Sequence, residues 1–312
     1  MLSYFYPSKR FLAGQAPSIS VKFVILQFWF DTDVDAMMGA CRRARELWPS
    51  AKIAFLDAFA PTDLRFACSV GQVVDVYFKK HLLKNRNQYG LPTSGDTNLS
   101  DWYGARYDLR QEEKLFEVSE AFKSKLKVYP SFFLAPYLLE VFAGVRHAGH
   151  KIKKYDVHAR LGGGGDDGWY PLMRKEATEA VRALTRFKVT PSGALLKGDY
   201  LTEMSKSLLC FSPFGYGEIC WRDFEAIAFG AVLVKPDVSH LDVEPDFFKP
   251  WVTYVPVAWD FSDLEDVVVA MSENPELCRR IADNAFQVLS EYVREGRFVD
   301  LIGNALCANA SD

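Results

Sequence analysis

Val21–Phe30 reads VKFVILQFWF, ten residues with one charge among β-branched and aromatic side chains. A run of that kind suits a strand buried on both faces, as in a parallel sheet covered by helices. Asp31, Thr32 and Asp33 follow, each able to cap the helix that the pattern of Val34–Leu47 predicts, and Pro49 stops it. The cycle repeats with a strand at Lys52–Leu56, a short helix around Pro61–Ser69 and a strand at Val73–Phe78. Regular alternation of strand and helix favours a parallel, doubly wound sheet.

A second cycle begins at YDVHARL (Tyr155–Leu161), followed by GGGG and a strong helical pattern over Leu172–Phe187. LLCFSPFG is a short apolar strand reaching a turn; Trp221–Phe229 reads as a helix stopped by Gly230, and strands follow at Ala231–Val234 and Trp251–Val257. Leu264–Met271 and Pro275–Tyr292 close the pattern as helices. The 312 residues accommodate two domains. The expected fold class is therefore α/β, two Rossmann-like domains facing a cleft, divided as 1–147 and 148–312, with the last helix free to pack back on the first domain. Between the cycles, Leu115–Lys125 and Phe132–Ala143 read as helices, whereas Lys79–Asp108 is long, polar and punctuated by glycine. Loops of that length tend to be functional or mobile.

Net charge is −3, so no global basic field draws nucleic acid or an anionic membrane. No apolar run approaches the roughly 20 residues of a membrane span, and the opening residues lack a signal-peptide pattern. The expectation is a cytoplasmic protein, compatible with peripheral membrane association. Six scattered cysteines without a CxxC point to reduced thiols. His147 and His150 have no further ligands near them in sequence, and no zinc or other metal is expected.

Three groups of residues carry candidate chemistry. Arg160 and the glycines Gly162, Gly163, Gly164 and Gly165 leave a strand and lead into a helix, the place where open α/β sheets bind ligands. Their amides and the following helix N-terminus suit an anion, and Arg160 offers a fork to a diphosphate. Asp166 and Asp167 argue for a plain surface loop instead. Neither the dinucleotide nor the P-loop fingerprint is present. In the second group, a helix starting near Cys220 places Trp221, Phe224, Ile227 and Ala228 on one side and the i, i+3 pair Arg222 and Glu225 on the other. That pair is either a ligand wall or a tethering ion pair. In the third group, Asp31 and Asp33 are candidates for a general base or for the helix cap. Lys79, Lys80 and His81 either meet an acceptor or form a solvated basic edge, and Asp96 reads first as a turn residue. Trp102 and Tyr103 suit carbohydrate stacking or core packing.

The run RDFEAIAFGAVLV (Arg222–Val234) resembles the donor-binding segment of GT-B glycosyltransferases of the exostosin and related bacterial kinds. GEICWR (Gly217–Arg222) is similar to part of the α1,3-fucosyltransferases. The resemblance covers roughly residues 150–270. It implies that Glu225 holds the ribose hydroxyls of a nucleotide sugar, that Arg222 lies near its phosphates, and that Glu218 is a donor ligand. Tyr216 and Gly217, in the turn before them, would border the donor. The chain departs from the pattern at Gly217, where the two-glutamate enzymes carry an acid, and at Leu233, where a proline is usual. The implied activity is metal-independent transfer from a nucleoside-diphosphate sugar to a glycan or lipid-linked hydroxyl acceptor, without a cofactor. The alternatives are a non-catalytic nucleotide- or sugar-binding protein and, disfavoured by the missing fingerprint, a nucleotide-cofactor oxidoreductase.

Overall fold

The computed structural model describes residues 10–307 apart from 12, 16, 150, 151, 164 and 166. Its strands, in chain order, are β1 Phe23–Gln27, β2 Lys52–Asp57, β3 Val76–Lys79, β4 His81–Leu83, β5 Thr93–Ser94, β6 Glu113–Lys114, β7 Leu126–Val128, β8 Tyr155–His158, β9 Ser207–Phe211, β10 Val232–Pro236, β11 Leu241–Val243 and β12 Val255–Val257. The first half holds a parallel sheet in the order β1-β2-β3-β7. Ile53, Phe55 and Tyr77 face the Val34–Leu47 helix and belong to the main core with Met37, Cys41 and Ala44. Ala54, Val76 and Phe78 face the other way, where Leu306 of the final helix, Arg297–Cys307, covers them. The apolar run that opens the sheet is its edge strand, and Ile25 remains 49% exposed. Burial on both faces, expected for this run, is a property of β2 and β3 instead.

The second half repeats the design with the order β12-β10-β9-β8, again parallel. The Trp221–Ala228 helix links β9 to β10, and Gly230 closes it at φ +69°, a backbone conformation that a side chain would strain. Phe224, Ala226, Ile227 and Ala228 are buried, while Trp221, expected against the sheet, is 48% exposed. The segment after Pro130 also departs from the sequence division at 147. Phe132 lies 5.0 Å from Phe224, and Phe142 lies 5.7 Å from Phe286 on the Pro275–Arg294 helix. These large aromatics find their apolar partners in the second half, so this stretch packs there.

The two halves are joined by backbone. β4 from the first pairs antiparallel with β11 from the second, Leu83 opposite Leu241, and the amide of Lys84 donates to the carbonyl of His240 at 2.8 Å. Residues 79–108, expected to be a functional or mobile loop, thus supply a strand of this seam and the Asn98–Arg106 helix, capped by Thr97. Tyr103 on that helix donates to the carbonyl of Trp259 at 2.8 Å. Gly217 permits the closest approach. A Cβ there would lie 1.8 Å from the carbonyl oxygen of Ala60, backbone against backbone. Gly217→Ala is therefore expected to destabilise the protein by about 1–3 kcal/mol through forced displacement at the seam, read as a lower urea midpoint.

Candidate functional site

Because β8, β9 and β10 run parallel, their carboxyl ends and the start of the Trp221–Ala228 helix all open toward the seam, where ligands of such sheets are held. Two arginines meet there. Arg222 Nη2 donates to the carbonyl of Arg160 at 2.9 Å, and its Nε to the hydroxyl of Tyr200 at 3.3 Å. Arg174, on the Trp169–Ala183 helix, is 7% exposed; its Nε donates to the Gly162 carbonyl at 3.1 Å and its Nη1 to the Phe214 carbonyl at 3.4 Å. Among the described residues neither arginine forms an ion pair with a carboxylate. Burial lowers the pKa of Arg174, which is the mark of a cation short of a counter-charge. Gly162 and Gly163 beside them are exposed with open space around them; Gly164 lies outside the described residues. Tyr216 is 57% exposed, its ring 4.1 Å from that of Tyr170.

Other expected ligands are differently employed. The Arg160 guanidinium grips Glu203 through two bonds of 2.6 and 2.8 Å and the carbonyl of Gly193 at 2.8 Å, so its fork is not free for a diphosphate. Arg222 and Glu225 do not pair with each other. Glu225, 4% exposed, accepts from Tyr137 at 2.5 Å and pairs with Lys197. The adjacent buried charge Asp223 binds Lys235 at 2.7 Å and Ser212 at 2.7 Å. Arg174 escaped the sequence reading. Its signal was a cation on the stripe of the helix that also carries Met173 and Ala177, both buried.

Glu218, an expected donor ligand, is instead the centre of the seam. Its Oε2 accepts from Thr62 at 2.6 Å and from His81 Nε2 at 3.1 Å; its Oε1 accepts from Asn98 at 2.8 Å and lies 3.6 Å from His240. Three partners belong to the first half and one to the second. Burial alone would raise the Glu218 carboxyl, but contacts from His240, His81 and Thr62 override it and hold it well below the usual carboxylate range. Burial pushes the pKa of His81 down to about 4, so the ring is neutral, with Nε2–H donating and Nδ1 left without a partner.

Of the base candidates, Asp33 caps the Val34–Leu47 helix, accepting from the amides of Asp35 and Ala36 at 2.9 and 3.1 Å. Asp31 is exposed. Lys79 is fully buried on Asp57 at 2.7 Å, not a solvated edge, and Asp96 pairs with Arg65 at 3.0 Å. His147 contacts Asp283 at 3.2 Å; His150 lies outside the described residues.

No family model matches the chain. One curated protein, uncharacterized protein 035R of Invertebrate iridescent virus 3, is 38% identical over 61 residues, 20% of this chain and 6% of that protein. Among solved structures, TarM superposes over 91% of this chain with a TM-score of 0.53 and 9% identity. An alpha-glucosyltransferase in complex with UDP covers 90% at 0.47 and 11% identity. The chain spans 54% of TarM's length. The fold is that of the GT-B glycosyltransferases, two Rossmann-like halves, as the resemblance implied. Among the described residues no helix is long and apolar enough to cross a membrane.

The Glu218 cluster sets a pH dependence. Both Glu218 and His81 have depressed folded-state pKa values, so the unfolded chain takes up their protons first. The His81 contribution is complete above pH 6.5 and is lost as pH falls toward 4; that of Glu218 is lost further down. Stability is expected to drop by about 2 kcal/mol between pH 7 and pH 5 from His81 alone. In denaturant titrations across that range, His81→Gln should flatten the slope.

Proposed function

We propose that the protein is a glycosyltransferase that moves a sugar from a nucleoside-diphosphate donor to the hydroxyl of a glycan or lipid-linked glycan. The observation that carries this reading is the meeting of Arg174 and Arg222, two cations without an acidic partner among the described residues, at the carbonyls of residues 160 and 162 beside open glycine backbone. Their guanidinium groups would take the charge that develops on the departing diphosphate, a role that in other enzymes falls to a metal ion. Glu225, on the same helix as Arg222, would accept from the ribose hydroxyls, with the exposed Lys197 exchanging one partner for another. The acceptor oxygen would attack the anomeric carbon from the first half, where Asp31, the carboxylate of the pair that does not cap the helix, is the candidate base.

The second reading, a nucleotide- or sugar-binding protein without turnover, is favoured by one observation. Glu218 and Asp33, two of the carboxylates that could have served the chemistry, are committed to the seam and to a helix cap. Melting curves with UDP, GDP and NADH separate nucleotide-sugar binding from a nicotinamide cofactor. At a hundred times its Kd, UDP or GDP is expected to raise the Tm by about 4 °C, with NADH inert. Arg222→Met should remove the shift while the unliganded Tm changes little. An NADH shift with none from UDP or GDP overturns the proposal. Release of free sugar from UDP- or GDP-sugars decides between transferase and binding protein.

A further inference from the structure

Carboxylates near the Trp221–Ala228 helix meet donors on both oxygens, with one exception. Asp223 takes Ser212 on Oδ1, and Lys235 with the Cys220 amide on Oδ2. Glu203 divides Arg160 between its two oxygens, and Glu218 divides its own donors likewise. Glu225 is as buried as they are but receives both of its donors on a single oxygen. The Tyr137 hydroxyl, at 2.5 Å, and the Lys197 ammonium both bind Oε1, and Oε2 has no partner among the described residues. A carboxylate has acceptor sites on each oxygen, and folding would gain by sending one donor to each. Doubling them on Oε1 suits a side chain whose second oxygen is kept for a ligand.

The two donors are not equivalent. The Lys197 side chain is half exposed; its ammonium lies 3.1 Å from the Tyr137 hydroxyl and 4.7 and 5.6 Å from the ring centres of Tyr137 and Tyr200. Tyr200 in turn accepts from Arg222, so printed contacts run unbroken from Glu225 to the arginine. Tyr137 belongs to the Pro136–Phe142 helix, in the stretch that the sequence division gave to the first domain. Phe132, just before that helix, packs on Phe224, the residue preceding Glu225. Burial and the neighbouring Glu225 raise the pKa of Tyr137, so its phenol keeps its proton and donates.

We propose that Tyr137 is a positioning residue for nucleoside recognition: by holding Oε1 of Glu225 it leaves Oε2 to accept from the ribose hydroxyls, and so makes the site selective for a ribonucleotide. This rests on the nucleotide-sugar reading above and adds a residue from outside the second domain as the sequence divides it. On binding, Lys197 gives way and Tyr137 stays. An exposed lysine loses little by returning to water, whereas a partly buried phenol without its acceptor is costly. With Oε1 tied, the free oxygen is set before the nucleotide arrives.

Binding of UDP, GDP, their dideoxyribose analogues (which lack the ribose hydroxyls) and inorganic pyrophosphate is to be measured for the intact wild-type chain and Tyr137→Phe. Tyr129→Phe is the control, because that buried hydroxyl has no partner among the described residues. Wild type is expected to prefer UDP or GDP over its dideoxy analogue by about tenfold. Tyr137→Phe should reduce that preference to about twofold by weakening the ribonucleotide, with the analogue and pyrophosphate unchanged. Tyr129→Phe should keep the wild-type preference. A tyrosine that only supports the fold would weaken all ligands together or none, with the preference intact, and that result overturns the proposal. So does a wild type that binds UDP or GDP no better than the analogue. In either case nucleotide binding by wild type leaves the nucleotide-sugar reading in place. Failure of UDP and GDP alike to bind wild type ends both.

Discussion

The contact on which the molecule depends is the burial of Glu218 between its halves. An ionised carboxylate removed from water is tolerable only when each oxygen is met by donors. Here those donors come from three separate segments of the first half, Thr62, His81 and Asn98, with His240 of the second alongside. The cluster therefore has a geometry only when both halves are folded and docked. The same region carries the β4–β11 ribbon and the backbone contact of Gly217 with Ala60. Together they make the junction part of the folded core, whereas polar contacts between independent domains are ordinarily looser.

A fixed junction leaves the strand ends beside it in set positions. The carboxyl ends of two parallel sheets face each other, and the loops between them are already held by hydrogen bonds. The cations Arg174, Arg222 and Lys80 rest on carbonyl oxygens, which satisfy their donors without neutralising their charge. Under the proposed function those positions would be set before an anionic ligand arrives, with little reorganisation needed. Arg160 and Glu225 are different, since each is already bonded to a group of opposite charge.

Much of this was legible in the residues, and the misses have physical causes. The helix from Cys220 with its buried charges, the glycine turn after β8 and the strand–helix alternation follow from local pattern, which short-range sterics and hydrogen bonding enforce. Partner choice does not. Arg222 and Glu225 are three apart on one helix, yet each is satisfied by a residue from another segment, Arg160 or Tyr200 in one case and Lys197 or Tyr137 in the other. Residues 79–108 look like a long polar loop because their hydrogen-bonding partners are more than a hundred residues away. Polarity that would mark an exposed loop in isolation is what a buried seam of hydrogen bonds requires.

Sequence alone determined that the chain builds two parallel sheets layered with helices, because periodicity and breakers act over a few residues. It also determined that a short helix would bring an arginine and a glutamate into apolar surroundings near a glycine turn. Tertiary structure decided which charges neutralise one another and which remain unpaired. It placed Glu218 at the junction, gave Asp33 to a helix end, set Arg174 on the carbonyls of Gly162 and Phe214, and set Lys80 on that of Ile219. Those outcomes depend on distances between segments remote in the chain, and a charge has no assigned counter-charge until the fold sets those distances.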